Sequence, residues 1–188
     1  MSIQFVLVSA IAAAIAVFAA RTPGASDDRL AAFERATTAY AELHRALARD
    51  LPPLEISTDP EKILAAIKAR RTALRRARAA AKPGDIFTAE AAPVLRDRIR
   101  AALQTVGMSP ADLMRVLARD SEGYRRAEVN ATFSWATAAG MPGCILVTLP
   151  ALPEMLQYRF VGPDLVLVDV HASLIVDVLP DALVDRAD

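Results

Sequence analysis

Gln157-Tyr158-Arg159-Phe160-Val161-Gly162-Pro163-Asp164-Leu165-Val166-Leu167-Val168-Asp169-Val170 is where the chain changes character. Two β-prone runs, 157–161 and 165–170, flank the turn residues Gly162-Pro163-Asp164, and that pattern predicts a β-hairpin. A lone hairpin is marginal in water, so it must pack on other elements or gain a further strand. Leu174-Ile175-Val176-Asp177-Val178-Leu179 offers either that third strand or a short terminal helix, and Pro180 stops it.

Upstream of the hairpin the pattern is helical. Asp27 and Asp28 can cap a helix running to about residue 50, with Leu30, Phe33, Tyr40, Leu43 and Leu47 at helical spacing and Thr37 and His44 in the same stripe. Leu51-Pro52-Pro53-Leu54 ends it. Asp59-Pro60 is an N-cap and N1 pair that opens a second helix to about residue 81. Residues 88–106 read as a third, with Leu95, Ile99, Leu103 and Val106 on one side, Gly107 as C-cap and Pro93 near the first turns. Ser109-Pro110-Ala111-Asp112 has capping-box spacing and starts a fourth helix carrying Leu113, Val116 and Leu117. Residues 124–153 hold Gly140, Pro142, Gly143, Pro150 and Pro153, which predicts irregular structure with at most a short helix. The fold class expected is therefore mainly α: an antiparallel helical bundle over residues 27–123, with an irregular segment and a short C-terminal β-hairpin over 124–188 packed on it.

Residues 3–20 carry only Gln4 and Ser9 as polar side chains. As a helix they would span about 27 Å, close to the roughly 30 Å hydrocarbon core of a bilayer. Val17-Phe18-Ala19 places small residues where a signal peptidase reads, with cleavage before Ala20. No Lys or Arg precedes the run, however, and Arg21 follows it directly, which favours an uncleaved anchor. Residues 1–20 are thus expected to be a signal peptide or membrane anchor, and 21–26 a linker. The cleaved form places the chain in the periplasm or outside the cell, and the uncleaved form anchors it to the membrane, with its C-terminal side cytoplasmic by the charge of Arg21.

Composition narrows the classes further. Hydrophobic residues make up 54% of the chain and charged residues 23%, enough for a packed core. Cys144 is the sole cysteine, so an intramolecular disulfide is excluded, and one Cys with two His cannot supply a structural zinc site. Neither a metal nor a cofactor is expected. The zero net charge hides a gradient: residues 21–82 hold 13 basic against 8 acidic side chains, whereas 129–188 hold 2 against 7. Such ends can dock on each other or face different partners.

Leu149-Pro150-Ala151-Leu152-Pro153-Glu154, Tyr158-Arg159-Phe160-Val161-Gly162, Asp164-Leu165-Val166-Leu167-Val168-Asp169 and Leu174-Ile175-Val176-Asp177 together resemble the C-terminal signature of an uncharacterised family of exported bacterial proteins. Gly84-Asp85-Ile86-Phe87 resembles a second, shorter signature upstream. The chain departs from the pattern at Pro163, where a basic residue is expected, and at Gln157, where Glu is expected. The resemblance implies an envelope location and a shared fold, and it carries no activity.

The second helix holds the clearest surface pattern. Lys68, Arg71, Arg75, Arg78 and Lys82 follow 3-4-3-4 spacing, which lines five cations along one face. That face suits anionic lipid headgroups or an acidic partner, or it is a solvated bundle face, the commoner outcome for a charge run. Nucleic acid is not expected, because no aromatic residue interleaves the cations and export removes the substrate. Arg70 stands apart in the apolar stripe and can snorkel, or pair with Asp169 or Asp177. Cys144 and His171, with Asp169 as orienting acid, are the only nucleophile–base combination. The cysteine sits in the apolar run Gly143-Cys144-Ile145-Leu146-Val147, the setting of a small core residue.

No catalytic constellation emerges. The function expected is that of a non-enzymatic envelope protein acting through contact with a protein partner, as an accessory or assembly module. The alternatives are a peripheral binder of anionic membrane or an acidic partner through the basic helix, and a small Cys-dependent enzyme. Membrane contact would run through residues 3–20 or through that helix.

Overall fold

The computed structural model describes residues 25–120, 125–135 and 140–184. The expected signal or anchor segment 1–20, and all of the linker but its last two residues, lie outside them. Among the described residues no helix is long and apolar enough to cross a membrane.

Among the described residues five helices precede a three-stranded antiparallel sheet: α1 Ala25–Ala48, α2 Pro60–Ala77, α3 Ala91–Thr105, α4 Pro110–Asp120, α5 Gly143–Leu146, β1 Leu156–Val161, β2 Asp164–Asp169 and β3 Leu174–Leu179. The local signals explain most boundaries. Asp59 Oδ1 accepts from the Glu61 amide, and Pro60 occupies the first turn of α2. Ser109 and Asp112 cap α4 reciprocally: the Asp112 amide donates to Ser109 Oγ, and the Ser109 amide donates to Asp112 Oδ2. The third helix starts at Ala91 instead of 88, because Thr88 stays outside as a capping residue whose Oγ1 accepts from the Ala91 amide. Val116, expected on the apolar face of α4, is exposed beside Met114, while Leu113 and Leu117 are buried.

Of the two forms open to residues 174–179, the strand is the one adopted: the hairpin extends to a three-stranded antiparallel sheet at the C-terminus, in the order β1-β2-β3, and the fold mixes helices with that sheet. Every residue of β2 and β3 is buried. One face packs against the helices through Leu156, Tyr158, Phe160, Leu165, Leu167 and Leu174, next to Phe33, Phe87 and Leu95. The other face, Val166, Val168, Ile175 and Val178, is covered by Phe133 with Ala127, Val129 and Ala131. No periodicity marks segment 127–133, which the sequence pattern makes irregular, yet it is the cover that lets both faces be apolar.

A β-bulge between Leu167 and Val168 opposite β3 shifts the register: Asp169 pairs with Leu174 and Val168 with Ile175, but Leu167 pairs with Asp177. Alternation counted from Leu174 would turn Asp177 to the outer face. The extra residue reverses that phase and turns Asp177 toward the helices.

Candidate functional site

Asp177 and Asp169, both fully buried, organise the helix-facing side of the sheet. Asp177 Oδ1 accepts from the amides of Gly84 (2.9 Å) and Val178 (2.8 Å), and Oδ2 from those of Ile86 and Phe87 (both 2.7 Å). Gly84 adopts φ +92°, a conformation that side-chain-bearing residues rarely take, which lets successive amides converge on one carboxylate. Burial pushes the Asp177 carboxyl above the usual range, against the opposing pull of those four donors. The two quoted signatures, Gly84-Asp85-Ile86-Phe87 and Leu174-Ile175-Val176-Asp177, thus meet at this carboxylate. Phe87 then stacks on Phe33 at 5.7 Å, and Phe33 on Tyr158 at 6.4 Å.

Asp169 accepts from Tyr40 Oη at 2.7 Å and from the Ala172 amide at 2.9 Å. Burial, followed by the Asp169 charge, holds the Tyr40 hydroxyl far above the usual tyrosine range, so it serves as a neutral donor. His44, one turn along α1, places Nε2 3.5 Å from Asp169 Oδ2. That nitrogen is buried and has no hydrogen-bond partner. The ring lies 5.5 Å from that of His171. The two histidines therefore meet each other, and His171 is engaged with His44 while Cys144 packs against the hydrophobic core from α5. Arg70, buried, donates Nη1 to the carbonyls of Pro52 (2.8 Å) and Ala66 (3.2 Å), not to Asp169 or Asp177 as sequence reasoning allowed.

The cationic face of α2 is placed against β3. Arg71 Nε donates to the Ala172 carbonyl (2.8 Å), Arg75 Nε to that of Asn130 (2.7 Å) and Nη2 to Thr132 Oγ1 (2.8 Å). Arg78 Nη2 donates to the Val176 carbonyl (3.0 Å), and its guanidinium lies 5.2 Å from the centre of the Tyr40 ring. Lys68 and Lys82 stay exposed. Segment 130–133 adds a short pairing on the same edge: the Asn130 amide donates to Ile175 and the Phe133 amide to Ser173, and Ile175 returns a bond to Ala131. Three of the five cations of the stripe therefore strap one edge of the sheet. Burial and the neighbouring charge of Arg75 hold the Arg71 guanidinium below its usual range.

The opposite edge is built differently. Val170 donates its amide to Met155, so the alternation of an antiparallel ladder turns the backbone groups of Leu156, Tyr158 and Phe160 away from β2. Among the described residues no other segment pairs along that edge. A groove of about 560 Å³ runs beside it, lined chiefly by Leu146, Leu149, Pro150, Leu152, Tyr158 and Arg159. Leu146 on its wall is 50% exposed, and the next residue, Val147, 82%. Sequence reasoning missed this groove, although the exposed apolar pair following Cys144 was a visible signal.

No known family model matches the chain, and no curated protein or solved structure is found to be similar to it. Among the described residues no cluster of His, Cys, Asp and Glu is arranged to hold a metal ion.

Proposed function

We propose that this chain is a non-enzymatic binding protein of the bacterial cell envelope, brought there by residues 3–20, which accepts an extended segment of a partner protein along β1. The observation that carries the reading is the difference between the sheet's two edges. β3 is strapped by α2 and by segment 130–133, whereas β1 presents outward backbone groups beside an apolar groove. An unpaired edge with side-chain pockets alongside is the geometry of strand addition, in which main-chain bonds give affinity and the groove gives specificity. On this reading the helices α1 to α4 are scaffold, and the exported-family resemblance around the hairpin reflects a shared docking sheet.

Two experiments test it. Intact masses of the chain from soluble and membrane fractions of its host should show either a species beginning near Ala20 or a membrane-bound full-length form; a full-length cytosolic species contradicts the envelope assignment. A photo-crosslinking residue at Gln157 should give a discrete adduct with one polypeptide that the same residue at exposed Thr72 does not give. Equal labelling from both positions contradicts a docking edge.

A second reading, binding of an anionic surface through α2, draws on one observation: the described hydrogen bonds of Arg71, Arg75 and Arg78 run to neutral carbonyl and hydroxyl groups, which leaves their charge uncompensated. Because those arginines also strap β3, the informative variant is Lys68→Gln with Lys82→Gln. It should weaken salt-sensitive binding to anionic vesicles with the fold intact, and unchanged binding rejects the idea.

A further inference from the structure

A second recess lies where α1, α2 and the β2–β3 turn converge, and it shares no lining residue with the β1 groove. It is a cleft of about 410 Å³ lined by His44, Arg45, Arg49, Arg70, Glu154 and His171, with Ala48, Leu54 and Met155 between them. Three guanidinium groups and both of the chain's histidines meet there, against the single carboxylate of Glu154 on the lining and Asp169 behind His44. Two of these polar side chains, His44 and Arg70, are each only 6% exposed.

The scaffold does not exhaust them. His44 Nε2 is buried without a hydrogen-bond partner, although a buried polar atom left unpaired costs about 1–3 kcal/mol. Asp169, the nearest acceptor, already takes bonds from Tyr40 and Ala172. Arg70 is fixed by Pro52 and Ala66 through one nitrogen, Nη1, which orients the guanidinium rigidly at the cleft wall. A preoriented arginine and two exposed arginines, beside two imidazoles, form a cationic set for charged oxygens.

We propose that this cleft is a binding site for a small, multiply charged oxyanion ligand, either a phosphate ester or a di- or tricarboxylate. Arg70 contacts the anion at the base of the cleft, the His44 ring, whose Nε2 faces Asp169, senses its charge from the wall, and Arg45 and Arg49 close over it from α1. A site volume of this size accommodates a small metabolite and excludes a folded partner. The site is separate from the β1 edge, and its failure leaves that reading untouched.

The two histidines make the test direct, because every imidazole signal in the spectrum reports on this cleft. The ring resonances of His44 and His171 in the full-length chain would be followed against pH, without ligand and with inorganic phosphate or citrate. His44 starts below the ordinary histidine range, chiefly through burial, with His171, Arg70 and Arg45 adding to it and Asp169 opposing. A bound anion favours imidazolium, so the His44 midpoint should rise by roughly 0.5–1 unit, and anion affinity should increase as the pH falls through that midpoint. Phosphate acting more strongly than citrate assigns an ester ligand, and the reverse assigns a polycarboxylate. Arg70→Gln should abolish the response. Since that change also removes two structural bonds, Arg45→Gln with Arg49→Gln, both on the exposed face of α1, serves as the second variant and should weaken affinity by roughly tenfold. Histidine midpoints unmoved by either anion, or a response of equal strength in the Arg45→Gln/Arg49→Gln chain, would overturn the proposal.

Discussion

The two edges of the sheet were built by opposite means. At β3 a long helix lies alongside and sends three guanidinium groups to backbone oxygens of the β2–β3 turn, of segment 130–132 and of the strand itself, while that segment pairs with the strand directly. At β1 the neighbouring chain between Leu146 and Leu152 stands off and leaves an apolar groove in place of a hydrogen-bonded neighbour. Exposed edges invite indiscriminate pairing, and proteins usually blunt them with charge, cover or distortion. Here one edge is covered by cations, while on the other the Leu156 amide donates to Pro153, Arg159 donates to the Tyr158 carbonyl, and the outward amides of Tyr158 and Phe160 meet no other strand among the described residues. The contrast teaches that a basic stripe can be an internal fastening, and it places the edge proposed for docking across the sheet from it.

The largest effect expected of any single change is at Asp177, which fastens residues 84–87 to the closed side. Asp177→Asn replaces an acceptor by a donor facing buried amides, and it should lower stability by about 3 kcal/mol or more in denaturant unfolding. A near-neutral result would break the assignment of that carboxylate as the organiser of the edge. Arg75→Gln should cost about 1.5 kcal/mol and speed amide exchange at Phe133 and Ile175, because it releases Asn130 and Thr132. Exchange rates that stay unchanged would mean that segment 130–133 holds β3 without help from α2.

A smaller effect comes from His44. Its folded-state proton affinity is depressed, mainly by burial, so the unfolded chain binds the proton more readily once the pH drops below about 6.5. Stability contributed by the neutral imidazole is therefore complete above that pH and is lost as the pH falls. The difference between the wild type and His44→Gln should shrink on acidification from pH 7 to pH 5. A constant difference would show that His44 titrates alike in both states. The smallest effect is expected on the open side. Leu146→Lys should change stability by no more than about 0.5 kcal/mol, since the side chain is half exposed, while partner crosslinking at Gln157 falls away. A large stability loss there would make the groove part of the core.

Much of the closed side was legible in the sequence, and little of the open one. Asp59-Pro60 and Ser109 with Asp112 announced their helices because capping is local chemistry. The run around Gly162 announced a hairpin for the same reason. The strand at 174–179 remained ambiguous, because a continuous apolar run fits a buried strand or a buried helix equally well. Its cover, segment 127–133, carries no periodic signal, and its role emerges only from pairing with a strand more than forty residues away. Arg71, Arg75 and Arg78 were visible as a stripe, but spacing reports which side chains share a face and not what that face meets. The cleft that joins His44 to His171 and Arg70 brings together three distant parts of the chain, which no local pattern encodes.

Residue-resolved amide hydrogen exchange on the full-length chain tests the comparison of edges most directly. The amides of Asn130, Phe133 and Ile175, paired at the covered edge, should be strongly protected, while those of Tyr158 and Phe160 exchange faster than their β1 neighbours Gln157 and Arg159. Addition of the crosslinked partner should then slow Tyr158 and Phe160 selectively. Uniform protection along β1 in the free chain, or partner-induced protection confined to α2, would contradict an open docking edge.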